Sequence, residues 1–190
     1  MRQFGALVID WNRKVSNLIS RNDEGRIVAR HFAESIEPAY RLRESGARSW
    51  LDFGSGAGFP AIPLAILGVG ERWTLVESRR PKTLFMRKAI EVLELPGIKV
   101  YHGRLETWLE EQVGERFIDG FSSRATMRLA PTLVMAESVV RQGGTAFLWK
   151  GSRRDEELSD PKNWDREWEL TEVLDLGSGP TAVAKLIRIK

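Results

Sequence analysis

Apolar residues recur every three or four positions through two stretches near the N-terminus, LVIDWNRKVSNLI (residues 7–19) and EGRIVARHFAESI (24–36). That period predicts two amphipathic helices, and Pro38 and Gly46 end the region. The pattern then changes. SWLDF (49–53), WTLVE (73–77), IKVYHG (98–103), FIDGFSS (117–123) and TAFLWK (145–150) are short apolar runs of strand length. Between them lie IPLAIL (62–67), RPKTLFMRKAIEVLEL (80–95), ETWLEEQV (106–113) and PTLVMAESVV (131–140), which read as helices. In the second of these, Leu84, Phe85, Ile90 and Leu93 share one face and Pro96-Gly97 ends it; Gly143-Gly144 ends the last. ELTEVLDL (169–176) and TAVAKLIRIK (181–190) read as two strands joined by GSGP, a hairpin-like connection.

Strands alternating with helices predict βαβ units in a mainly parallel sheet. The expected fold is therefore α/β: a Rossmann-like, seven-stranded, mainly parallel sheet with an antiparallel C-terminal strand. A helical extension (1–46) precedes the core (47–190), and the two are expected to form a single domain. With 42% hydrophobic and 29% charged residues among 190, the composition is that of a soluble globular protein. There is no cysteine, which excludes disulfides, thiolate metal sites and a cysteine nucleophile. FGALVI (4–9) is too short for a membrane span or a signal-peptide core, so the expectation is a cytoplasmic protein without membrane attachment. The net charge of +3 resides wholly in residues 1–50, where nine Lys/Arg face six Asp/Glu. Such a segment suits a polyanionic partner or a solvated helix face.

The chemistry is expected at DFGSGAGFP (52–60), which leaves the first strand. In an open parallel sheet, ligands sit beyond the carboxyl ends of the strands. A dinucleotide fingerprint requires its third glycine where Phe59 stands, and no lysine follows to make a phosphate-binding P-loop. Gly54, Gly56 and Gly58 instead make G-x-G-x-G after Asp52, which resembles the first motif of class I S-adenosylmethionine-dependent methyltransferases. Glycines there let the backbone approach a ligand closely. Glu77, ending the second strand, is placed to accept ribose hydroxyls, and GRLE (103–106) to lie against an adenine, with Leu105 as the apolar contact.

NLISRNDEGRIVARHFAESI, DFGSGAGFPAIPLAI, RRPKTLFMRKA, GRLE, SSRA and LWKG follow one another in this order over residues 8–151. Together they resemble the bacterial family that methylates guanine N7 in small-subunit (16S) ribosomal RNA, the glucose-inhibited division protein B family. The resemblance implies S-adenosylmethionine as cofactor and ribosomal RNA or the small subunit as partner; a monomer is expected. It implies cofactor contacts from Gly54, Ser55, Gly56, Gly58, Phe59, Glu77, Leu105, Glu106 and Arg124, and puts Asn17, Arg21 and His31 on the substrate side. Arg124 and Lys150 are expected to position the reacting groups, without a general base and without a metal. Arg79 and Arg80 open a basic helix, to be read as a phosphate-contacting patch or a solvated face. Trp149, beside Lys150, is a candidate to stack on a base.

Three departures stand out. Ile19 replaces a frequent threonine, Ala61 replaces a frequent glycine, and residues 151–175 carry nine acids against four bases. Two other readings stay open: a methyltransferase of small molecules or proteins, and a non-catalytic RNA-binding module that keeps the cofactor fold.

Overall fold

The structure, a computed structural model, describes residues 1–15, 17–111, 118–160 and 164–190. Seven strands form one sheet: β1 (Ser49–Phe53), β2 (Arg72–Glu77), β3 (Ile98–His102), β4 (Ile118–Arg124), β5 (Val140–Lys150), β6 (Trp168–Asp175) and β7 (Ala182–Arg188), in the order β3-β2-β1-β4-β5-β7-β6. The pairs β1–β2, β2–β3, β1–β4 and β4–β5 are parallel. β7 is antiparallel to both its neighbours, so it alone runs against the rest, as the hairpin-like connection predicts.

The sheet separates two apolar layers. On one face Trp50, Trp73, Leu75, Phe147, Trp149 and Val183 pack under α1 (Arg2–Lys14), α5 (Ala61–Ile66) and α6 (Arg80–Val92). Trp50 and Trp73 stack there, with ring centroids 5.2 Å apart. On the other, Leu51, Val76, Phe121, Ala146, Leu148 and Leu186 meet α7 (Leu105–Glu111) and α8 (Leu129–Glu137). The strands are apolar on both faces because both are covered.

The N-terminal region departs from the predicted pair of helices. α1 stops at Lys14, five residues early, because Asn12 takes over the following backbone. Its buried Oδ1 accepts the N–H groups of Leu18 (2.6 Å) and Ile19 (3.0 Å), and its Nδ2 donates to Glu24 (2.7 Å). A side chain that satisfies backbone donors in this way competes directly with helix. The second predicted helix is divided into α2 (Arg21–Glu24), a π-helix over Ile27–Ala33 and α3 (Glu34–Ile36), with α4 (Ala39–Glu44) completing the region. The wider π turn lets Ile27 and Phe32, five residues apart, both point inward.

At the other end of the core, Val140 begins a strand and not the last turn of a helix. The β4–β5 register jumps from Ile118–Val140 to Gly120–Thr145, which bulges out residues 141–144. A Cβ on Gly144 would lie 2.5 Å from Val140 Cγ1 and 2.8 Å from the Asp119 carbonyl oxygen, and Gly143 has φ +74°. The Gly-Gly pair is thus the bulge itself. Of the ends expected for α7 and β4, positions 112, 113 and 117 lie outside the described residues.

Candidate active site

β1 lies between β2 and β4, so strand order reverses there. Chains leaving neighbouring strand ends at such a reversal diverge to opposite faces and leave a crevice. The loop after β1 is tied to β2: the N–H groups of Gly54 and Ser55 donate to the Val76 carbonyl (2.9 and 3.2 Å). Glu77 then clasps the loop from the end of β2, accepting the N–H of Gly56 (2.9 Å) and of Arg79 (2.8 Å). Both contacts set a buried carboxylate against backbone donors.

Gly54, Gly56 and Gly58 have φ of +68°, +58° and +86°, a region that side chains disfavour. A Cβ on Gly54 would run into Thr126 and one on Gly58 into Ile62, so these two are also required by packing. On Gly56 it would meet nothing closer than Lys82 Nζ at 3.8 Å. Gly56 is where the loop opens.

Ser55 is held by a hydrogen bond from its hydroxyl to the Asp52 carbonyl (2.9 Å). Phe59 is buried, packed on Phe4 and Phe32, with the His31 ring 5.1 Å away. Leu105 is buried at the start of α7, with exposed Glu106 beside it. Gly103 N–H bonds to the Glu77 carbonyl (3.1 Å), which brings the GRLE turn to the same strand end.

Beneath the loop, Asp52 is completely buried. Its Oδ1 accepts the Ser122 hydroxyl (2.6 Å), while its Oδ2 has no partner among the described residues. Burial pushes the carboxyl up to about 7, against the hydrogen bonds that favour its charge.

Arg124, ending β4, reaches across to the N-terminal region. Its Nη2 lies 3.1 Å from Glu34 Oε2, 3.1 Å from His31 Nδ1 and 3.4 Å from the Arg30 carbonyl, whereas its Nη1 is buried without a partner among the described residues. Burial pulls the guanidinium below its usual pKa, and Glu34 opposes this. The His31 imidazole is lowered to about 4, first by burial and then by the Arg124 charge, against the pull of Asp23. His31 is therefore neutral at pH 7, and its Nδ1 accepts from Arg124. The turn that follows is strained: Ala125 adopts φ +55°, pinned by a Ser123–Thr126 hydroxyl contact of 2.6 Å.

The remaining expected site residues are divided. Asn17 and Arg21 line a hollow of about 440 Å³ with Leu18, Ile19, Ser20 and Lys82, on the α6 side of the loop. Arg79 and Arg80, at the head of α6, are exposed. Lys150 lines a second hollow, of about 490 Å³, with Arg128, Arg153 and Glu157. There it donates to Glu157 (2.9 Å) and to the Met127 carbonyl (2.8 Å), so the geometry ties β5 to α9 (Arg154–Ser159). Trp149 is buried and donates its indole N–H to the Glu34 carbonyl (2.7 Å), leaving no free ring face for a base. Glu34 is absent from the residues expected at the site, although it follows His31 by only three positions. Among the described residues no cluster of His, Asp or Glu is suited to a metal.

A family model for GidB, described as rRNA small subunit methyltransferase G, matches residues 1–170. The chain belongs to the GidB family. Relatives of this GidB chain include Ribosomal RNA small subunit methyltransferase G of Geobacillus kaustophilus (strain HTA426), 31% identical over 154 residues, which cover 81% of this chain and 64% of the relative. The protein of the same name from Staphylococcus aureus (strain Newman) is 33% identical over 156 residues, with 82% and 64% covered. The matches thus span less than two thirds of these GidB relatives' own length. In fold, the chain is similar to an O-methyltransferase from Bacillus cereus in complex with SAH, with a TM-score of 0.70 and 17% identity over 98% of this chain and 91% of that one.

Proposed function

We propose that this GidB chain is an S-adenosylmethionine-dependent methyltransferase that modifies N7 of a guanine in 16S ribosomal RNA. The observation that carries the reading is the clasped, open loop at the sheet's switch point. Gly56 offers free space beside Glu77, and the unpartnered Asp52 Oδ2 and Arg124 Nη1 lie at the adjoining strand ends. Family membership supports it, as do the G-x-G-x-G spacing and the GRLE turn beside Glu77.

These residues fit the cofactor. Gly54, Ser55, Gly56 and Gly58 would pass along its methionine part, Glu77 would accept the ribose hydroxyls, and Leu105 with Glu106 would border the adenine. Phe59 would back the loop, and Arg124 Nη1 would meet a carboxylate or the guanine O6. When bound, S-adenosylmethionine supplies an electrophilic methyl group on a sulfonium. Guanine N7 carries an in-plane lone pair and no proton, so the chain has to align the base and exclude water; it need not remove a proton. The Nδ1 lone pair of His31 is taken by Arg124 and Lys150 is paired with Glu157, so neither of these two groups is free to take a proton. We place the RNA over Asn17, Arg21, Arg79 and Arg80, on the α6 side of the loop.

The deciding experiment incubates the protein with labelled S-adenosylmethionine and small ribosomal subunits from a strain lacking this enzyme. Label at guanine N7 of the RNA is expected. Label only in protein or small molecules would overturn the substrate, and absence of both turnover and cofactor binding would overturn the enzyme.

A further inference from the structure

We propose that Glu34 is a positioning residue for Arg124: it fixes which edge of the guanidinium faces the cofactor crevice. The inference deepens the cofactor reading above and rests on it. Glu34 is 3% exposed, yet it lies in α3 of the N-terminal region and not among the strand ends that form the crevice. Its carboxylate is the charged partner of Arg124, at 3.1 Å between side chains 5% and 12% exposed.

The guanidinium has two ends with different surroundings. Nη2 is engaged on three sides, by Glu34 Oε2, His31 Nδ1 and the Arg30 carbonyl, whereas Nη1 is buried and, among the described residues, unpartnered. A planar fork held at one end presents the other end in a fixed direction. Without Glu34, a neutral imidazole and a carbonyl at 3.4 Å are what would hold Nη2.

Glu34 is itself fixed. Its Oε1 accepts the Thr181 hydroxyl (3.2 Å) from the loop before β7, and its carbonyl accepts the Trp149 indole N–H (2.7 Å) from β5. One residue thus links the N-terminal helices, the end of β4 and the C-terminal hairpin at the point where a ligand would meet Arg124. A residue that only filled space there would not need a charge. In a site of low dielectric, an ion pair with one free donor edge is a preorganised anion or carbonyl receptor.

The test is a double-mutant cycle with S-adenosylhomocysteine as probe, read by titration calorimetry on the full chain. Glu34→Gln is expected to weaken binding at least tenfold, as is Arg124→Met. In the Arg124→Met background, Glu34→Gln is expected to change affinity less than twofold, because its target is gone. Equal losses in both backgrounds, or no loss in either, would overturn the proposal. Glu34→Asp, which keeps the charge, is expected to recover most of the affinity and covers the case in which Glu34→Gln folds poorly.

A second readout needs no ligand. At neutral pH the two Nη groups of Arg124 are expected to give separate nitrogen resonances in the parent and averaged ones in Glu34→Gln, since hindered rotation reports the hold on Nη2. Separate resonances in both would overturn the proposal. A parent that fails to bind the probe would overturn the cofactor reading, while the resonances still decide what Glu34 does.

Discussion

Burial raises the Asp52 carboxyl to about 7 and lowers the His31 imidazole to about 4, and the two shifts act on stability with opposite signs. Between about pH 4 and 7 the unfolded chain ionises Asp52 and the folded one resists, so this term lowers stability as pH rises. Between about 6.5 and 4 the unfolded chain protonates His31 and the folded one does not, so this term lowers stability as pH falls. In the parent they offset one another. His31→Gln should therefore be more stable, relative to the parent, at pH 4.5 than at pH 7.5, by up to about 3 kcal/mol. Asp52→Asn should show its relative gain at pH 7.5. Urea unfolding of the three proteins at both pH values measures this, and variant-to-parent differences that do not change with pH would refute both assignments. Gly56 supports a separate expectation. Alanine there has room for its Cβ but must adopt φ +58°, at a cost of roughly 1–2 kcal/mol. Gly56→Ala should fold and still bind S-adenosylhomocysteine at least tenfold more weakly by calorimetry, since the methyl enters the space proposed above for the ligand. Undiminished binding would mean that the loop has been misassigned.

At the scale of elements, Asn12 decides where α1 ends and where the Asn17–Arg21 segment lies. Asn12→Ala leaves two backbone N–H groups without their acceptor, a loss of about 2 kcal/mol and of roughly 4–8 °C in Tm at this chain length. RNA affinity should fall in the same variant while S-adenosylhomocysteine affinity is kept, because the contact lies outside the crevice. Thermal unfolding and two binding titrations check it, and a parallel loss of both ligands would place Asn12 in the cofactor site. The sheet was legible in the chain because five strands and the final hairpin are written in short-range apolar runs and turn residues. The Asn12 stop was not, since a polar residue on a helix can point to solvent as easily as to the next backbone turn. Gly143-Gly144 marked a break correctly, but a helix stop and a strand bulge use the same glycines, and only pairing with β4 separates them. In the candidate site, the position of the glycine loop and of Glu77 at consecutive strand ends was visible, because the apolar runs that end there announce them. Glu34 escaped because its partner Arg124 lies ninety residues away. The partner of Lys150 escaped because Glu157 reads as one more acid in an acidic run.

Across the whole molecule, that acidic run resolves into internal pairs. Glu156 meets Arg128, Glu157 meets Lys150, Glu172 meets Arg41 and Asp175 meets Arg154. Four of the nine acids of residues 151–175 thus act as counter-charges for cations on α4, just before α8, on β5 and on α9. On the α6 side, exposed Arg79 and Arg80 head the helix that carries Lys82, which shares a hollow with Arg21. A surface so divided should turn one side toward a polyanion. If Arg79 and Arg80 each meet a phosphate, replacing both by alanine removes the release of about two counterions. The slope of log Kobs against log salt should then flatten by roughly 1.4–1.8. Fluorescence anisotropy with a small-subunit RNA fragment, from 50 to 200 mM salt, measures the slope. Arg153, on the other side, lines the hollow with Lys150 and Glu157, and Arg153→Ala should leave the slope within error of the parent. An unchanged slope in the Arg79/Arg80 variant, with a flattened one in Arg153→Ala, would put the RNA across β5 and α9. The acidic segment would then face the nucleic acid, and its ion pairs would have to open for binding.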